Sequence, residues 1–151
     1  MEIVAADPKA SVLSEAEVRG LLAEPLLMRL GMVDADGWPL VHPVWHLFEG
    51  ERFRVAVARR SHKATVLRAS RRAYFTVDTD AQGESRGVRG RADVHVVDGH
   101  ADLAVEISRK TLLKYTGTDQ DDYARQTLGW AAAGDMSIVE LSPRRFAAFS
   151  Y

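Results

Sequence analysis

The feature that most restricts this chain's fold is a run of apolar segments parted by two tight turns, "LMRLGMVDADGWPLVHPVWHLFEGERFRVAVA", residues 27–58. Asp34-Ala35-Asp36-Gly37 carries residues suited to turn geometry, and Glu49-Gly50 repeats the signal. Strands joined so tightly pair antiparallel, because parallel neighbours need a long crossover. The spacing predicts strands over 27–33, 39–48 and 53–58. Pro43 breaks the second strand and has no N–H to donate. That places it at a sheet edge, at a bulge, or where a missing donor is useful.

Helical signals flank this core. Ser14-Glu15-Ala16-Glu17 has the reciprocal capping pattern, and Val18, Leu21 and Leu22 follow at helical spacing. A short helix is expected over 14–23, limited by Pro25. Ser61 caps a second helix over 62–69, with Val66 and Leu67 facing inward. A fourth strand is expected over 73–77, a polar loop over 80–84, and a long fifth strand over 86–97, where Ala92, Val94 and Val96 alternate with Asp93 and His95. Residues 101–114 suit a helix that buries Leu103, Val105, Ile107, Leu112 and Leu113. Thr118, with Asp119, Asp121 and Asp122 behind it, opens another helix whose acids favour the positive end of the dipole. Strands over 137–141 and 145–149, divided by Pro143, complete about seven strands and four helices. The reading is α+β, mainly β: one domain, 1–151, whose antiparallel sheet closes into a barrel with a few peripheral helices.

Composition removes several function classes. The net charge is −1, so wholesale attraction to nucleic acid or a membrane surface is not expected. There is no cysteine, which excludes disulfides, thiolate nucleophiles and Cys-based zinc sites. The first residues, "MEIVAADPKASVLSE", contain acids and no apolar stretch of signal-peptide type, and no apolar run approaches a membrane span. The expectation is a cytoplasmic protein.

Against that near-neutral background, residues 59–72 hold six Lys/Arg, one His and no acid. A charge run of this kind is usually a solvated face. Here it straddles a strand-to-helix junction. Ser61 stands where a helix should begin, with free backbone N–H groups and the positive dipole end. Lys63 lies in the first turn, where that dipole disfavours a cation. A bound anion removes the conflict, so Arg59, Arg60, Ser61 and Lys63 read as a phosphate site. Nucleic-acid phosphates would call for a broader basic excess with interleaved aromatics, which the chain lacks.

Other candidates are weaker. His42 and His46 are four apart on a strand, separated by ~13 Å, too far to share a metal ion, and no metal site is expected. Trp38 and Trp130 read as core or interface residues. Trp45, in "VHPVWH" just after the proline, can face a ligand. "GVRG", residues 87–90, lacks the strand-turn-helix context of a dinucleotide fingerprint. Ser61 beside His62 is no nucleophilic pair, and no acid/base dyad stands out.

Together, the "DADGWP" turn, the "VHPVW" strand, the "RRSHK" junction and the later "RGVRGRADV" strand resemble the pyridoxamine 5′-phosphate oxidase-like superfamily, the flavin and deazaflavin split-barrel oxidoreductases. The resemblance runs from Leu30 to Gly99 and returns in "SIVELSPRRFAAFSY". It implies a split β-barrel that forms a homodimer, with a cofactor at each end of the dimer interface. By the same resemblance, Ser61 and Lys63 hold the cofactor phosphate with Arg59 or Arg60 assisting. His42, Pro43, Val44 and Trp45 lie along the ring system, and backbone from Ala56 through Val57 to Ala58 approaches it. Arg86 and Gly87 are further carry-overs. The implied cofactor is FMN, or alternatively the deazaflavin coenzyme F-420, whose acidic tail could use Arg68, Arg71 and Arg72. The implied function is a redox enzyme acting on a small molecule, with a non-catalytic flavin or haem carrier as the alternative. The vitamin-oxidising members carry an Arg-x-His near the end and a cofactor-contacting Gln before the fifth strand. This chain ends "SPRRFAAFSY" and has Ser85 there, so vitamin B6 oxidation is not expected.

Overall fold

The computed structural model describes residues 1–151, apart from the side chain at position 82. Among the described residues, nine strands form one curled sheet: β1 (Ile3–Ala5), β2 (Met28–Val33), β3 (Pro39–Val44), β4 (Leu47–Glu49), β5 (Arg52–Ala58), β6 (Arg72–Thr79), β7 (Arg86–Val97), β8 (Met136–Pro143) and β9 (Phe146–Ser150). Helices α1 (Glu15–Ala23), α2 (His62–Ser70), α3 (Ala101–Thr116) and α4 (Asp122–Ala132) pack around it. The order is β3-β2-β6-β7-β8-β5-β4, with β9 beside β7 and β1 beside β9. Every pairing is antiparallel except β1 with β9. The fold is therefore a mainly β, α+β split barrel. Its long strand β7 shares Arg86–Arg89 with β9 and Ala92–Val97 with β8, which bends the sheet on itself.

Alternation fixes which side of each strand is inside. On β5, Phe53, Val55 and Val57 are buried in the barrel, while Arg54, Ala56 and Ala58 are turned outward. Phe53, Phe75 and Phe146 meet at the centre, the first two with ring centroids 4.9 Å apart and the last two 5.6 Å apart. Burying each such side chain contributes on the order of 1.5–3 kcal/mol. A smaller cluster of Leu47, Ala104, Ile107, Ala131 and Ile138 holds α3 and α4 against the outer face of β5 and β8.

Most sequence-based expectations hold to within a few residues, and the exceptions have physical causes. The expected strand over 39–48 is two strands, and the break comes at Trp45-His46 rather than at Pro43. Pro43 is accommodated because β3 pairs only with β2 and keeps a free edge. The hairpin from β4 to β5 turns at Gly50 and Glu51, both with positive φ (57° and 62°), as a two-residue mirror-image turn requires. β1 was not expected; its three residues carry no turn signal and depend on β9, far along the chain. The fourth helix is capped by Asp121 rather than begun at Thr118. On α3 the buried face is Ala104, Ile107, Ser108, Thr111 and Leu112, while Leu113 is exposed. No described helix is long and apolar enough to cross a membrane.

Candidate functional site

The site begins where β5 ends. The Ser61 N–H donates to the Ala58 carbonyl (3.0 Å), closing the turn, and the Arg59 N–H is pinned to the Asp135 carbonyl (2.8 Å). Ser61 then caps α2, its hydroxyl accepting from the Ala64 N–H (3.3 Å). The N–H groups of His62 and Lys63 have no acceptor among the described residues, as expected of a helix's first turn. No acid lies in that turn.

Cations surround this terminus. The Arg59 side chain has its Nε buried without a hydrogen-bond partner. Neither Arg60 nor Lys63 forms an ion pair with any described residue. Arg68, in the last turn of α2, forks onto both oxygens of Asp98 (2.8 Å each) and donates to the Arg59 carbonyl (2.7 Å). The Ser137 hydroxyl also donates to Asp98. Those hydrogen bonds, Arg68's first, hold the Asp98 carboxyl down at about 2. Arg59, Arg60, Thr65, Arg68 and Asp98 line an open cavity of about 540 Å³. Three guanidinium groups facing one carboxylate leave it positive, which suits a polyanionic group.

The remaining sequence-predicted residues divide into four groups. Ala56 and Trp45 share a second, smaller cavity of about 100 Å³ beneath α3 and α4. The Trp45 indole stacks flat on Tyr115 (4.9 Å between centroids, 3° between planes), and Tyr123 meets it edge-on at 6.2 Å. Val44 and Val57 point into the barrel core, so only their main chain is available to a ligand. His42 is half-buried and Pro43 exposed on β3, and neither lines the two cavities.

Arg86 and Gly87 are not brought to the α2 terminus. They begin β7, roughly 36 Å of strand contour from its Val97 end. Arg86 is paired with Glu24 (2.8 Å). A Cβ on Gly87 would meet the Phe149 ring at 2.6 Å and the Asp78 Cβ at 2.7 Å. That glycine is required by packing within this chain. Conversely, Thr65 and Asp98 line the basic cavity and were not among the sequence-based site residues, while Arg68, assigned from sequence only to an F-420 tail, lines it as well. The basic run already contained Arg68, whereas nothing local in "VVDGH" ties Asp98 to it.

One buried group stands apart. His46 is fully enclosed, edge-on to Phe53 (5.3 Å), with neither ring nitrogen hydrogen-bonded. Burial, reinforced by the nearby Lys114 charge, pushes its pKa down to about 3. Lys114, itself lowered by burial to about 8, donates to the Leu22 and His46 carbonyls.

The profile of one protein family, pyridoxamine 5′-phosphate oxidase, matches residues 14–149. The chain belongs to that family. The backbone agrees with solved split barrels. A conserved hypothetical protein of Mycobacterium tuberculosis superposes with a TM-score of 0.78 at 19% identity, covering 95% of this chain and 88% of its own. The haem-storage protein HutZ of Vibrio cholerae gives 0.66 at 17% identity, covering 86% and 89%. An F-420 reductase gives 0.64 at 24% identity, covering 89% and 98%. At these identities the likeness establishes the shared fold. None of the curated proteins matches in sequence. Membership of the pyridoxamine 5′-phosphate oxidase family thus rests on nearly the whole chain, including α3 and α4, where the resemblance read from motifs faded.

Proposed function

We propose that the chain is an oxidoreductase holding a flavin-type cofactor, FMN or the deazaflavin F-420, by its phosphate at the start of α2. The observation that carries this reading is the Arg59 Nε, buried without a partner two residues before a helix start whose first two N–H groups lack acceptors and whose Lys63 forms no ion pair among the described residues. A buried donor left unpaired costs about 1–3 kcal/mol, and a phosphate oxygen relieves it. The Ser61 hydroxyl and the His62 and Lys63 amides would donate to that phosphate, while Arg60 and Lys63 neutralise it. The small, exposed Ala58 leaves room for a flat ring at the end of β5, beyond the part of its outer face that α3 and α4 cover at Ala56. When bound, the cofactor supplies hydride chemistry; the protein binds, orients and dries it. The F-420 reductase among the structural neighbours supports the redox reading, and HutZ keeps a non-catalytic carrier as the competing outcome.

A second copy of the chain belongs to the same proposal. Leu27, Val33, Trp38, Val41 and Tyr74 are large, apolar and exposed, and a cavity of about 660 Å³ opens among Gly31, Val33, Leu40, Val41 and Tyr74. Exposed apolar area of this kind beside the free edge of β3 suits a homodimer interface.

Titration with FMN and with F-420, followed by fluorescence, tests the cofactor assignment. Lys63→Glu should weaken binding about a hundredfold while leaving the fold intact by circular dichroism. Lys9→Glu, far along the sequence on an exposed loop, should leave it unchanged. Equal affinity in the wild type and Lys63→Glu would overturn the site, and tight binding with no cofactor reduction by any donor would favour the carrier.

A further inference from the structure

Helix α3 carries aliphatic hydroxyls at Ser108 and Thr111 on its buried face and at the exposed Thr116, and they are not treated alike. Thr111 donates to the Ile107 carbonyl (2.6 Å) and Thr116 to the Leu112 carbonyl (2.8 Å), the ordinary outlet for a helical hydroxyl. Ser108 does neither. It is 2% exposed, its Oγ has no hydrogen-bond partner, and it lines the cavity shared by Trp45 and Ala56. Across that cavity, Thr127 of α4 has its Oγ1 buried and unpartnered in the same way. Each such group costs about 1–3 kcal/mol when left without a partner, so two facing one small space are a shared demand for polar atoms.

The rest of the wall narrows what can answer that demand. Trp45, Tyr123, Met136 and Ala56 present flat or apolar surface, and no charged side chain lines the cavity. An ion would therefore be stripped of water without compensation. The volume, about 100 Å³, is several times what one water needs and approaches the size of an apolar cavity of ~150 Å³ known to take benzene. Trp45 cannot swing aside freely, because Tyr115 backs it on the opposite face.

We propose that this cavity is a binding site for a small, uncharged ring compound with hydrogen-bonding atoms on its rim, of the phenol, quinone or azole class, gripped by Ser108 and Thr127. Ala56 belongs to this wall and precedes Ala58, on the same face of β5, where the cofactor ring is assigned. Binding stands on the cavity alone; identifying its ligand as the redox substrate rests on the proposed function.

Calorimetric titration of the full chain with phenol, and with toluene as the ring without a hydroxyl, tests the site. Phenol should bind saturably and at least about tenfold more tightly than toluene. The double variant Ser108→Ala/Thr127→Val keeps the cavity's shape, should fold normally, and should erase that preference. Ser108→Leu, which fills the space, should abolish binding of both. Absence of saturable phenol binding, equal affinity for toluene, or an unchanged preference in the double variant overturns the proposal. The two readings fail separately. Lys63→Glu should leave phenol binding intact, and Ser108→Ala/Thr127→Val should leave the FMN affinity intact.

Discussion

One cavity lies on the outer face of β5 and another just beyond the strand's end, at the start of α2, and they are built on opposite principles. The one at the start of α2 is charged and open, and apart from Asp98 its walls come from residues 59–68. The one beneath α3 and α4 carries no charge, and its walls come from the β3–β4 connection, β5, α3, α4 and β8. In the first, guanidinium groups outnumber the carboxylate that faces them. In the second, two hydroxyls lack partners in an apolar enclosure. Under the proposed reading, the difference separates electrostatic capture from shape selection and places each on a different support.

The supports should respond differently to acid, and this is the largest effect expected. The small cavity leans on Tyr115, whose hydroxyl is fixed between the Leu26 carbonyl (2.7 Å) and the His46 N–H (3.2 Å). His46 stays neutral in the fold down to about pH 3, whereas in the unfolded chain it takes up a proton near its ordinary 6.5. The folded value is depressed, so its penalty is absent above ~6.5 and grows as pH falls toward 3, by up to ~1.4 kcal/mol per pH unit. Asp98, at about 2, keeps its bond to Arg68 throughout that window. Urea unfolding at pH 7 and pH 4.5 should show a steep loss in the wild type and a much shallower one in His46→Leu. Equal losses in both proteins would clear His46 of responsibility and remove the contrast between the two supports.

A smaller effect probes the charged cavity directly. Asp98 competes with any bound anion for Arg68. Asp98→Asn should therefore tighten phosphate and FMN binding about tenfold, or ~1.4 kcal/mol, while changing stability little, because exposed ion pairs contribute only about 0–1 kcal/mol. Weaker binding in this variant would mean that Asp98 serves to aim the guanidinium rather than to oppose the ligand.

The same contrast explains what could be read from sequence. Ser14 with Glu17, Ser61 with its basic run, and the Asp34–Gly37 turn are short-range chemistry, and each lies in the structure where the sequence placed it. The arginine-lined cavity was legible for that reason. Asp98 was not, because only the crossing of β7 and α2 brings it to Arg68. Helical periodicity assigned Leu113 to the interior and passed over Ser108, since it ranks residues by hydrophobicity and so misses a small polar group buried against a cavity. Arg86 and Gly87 came from the resemblance alone; one is engaged by Glu24 and the other is needed for close packing.

The smallest expected effect separates the ring of Tyr115 from its hydroxyl. Tyr115→Phe keeps the surface that stacks on Trp45 but leaves the Leu26 carbonyl and the His46 N–H without their shared partner. Burial raises the Tyr115 pKa to about 12, so the hydroxyl is a protonated donor at every pH of interest. The loss should be about 1 kcal/mol, near that of one ordinary hydrogen bond, since the half-buried site lets water replace part of it. Phenol affinity should fall less than about threefold and FMN affinity not at all, because the indole keeps its backing. A drop in phenol binding as large as that in Ser108→Ala/Thr127→Val would mean that the hydroxyl's grip on the β3–β4 connection, rather than the ring, holds Trp45 in place, and the rigid wall of the small cavity would then belong to the backbone at His46.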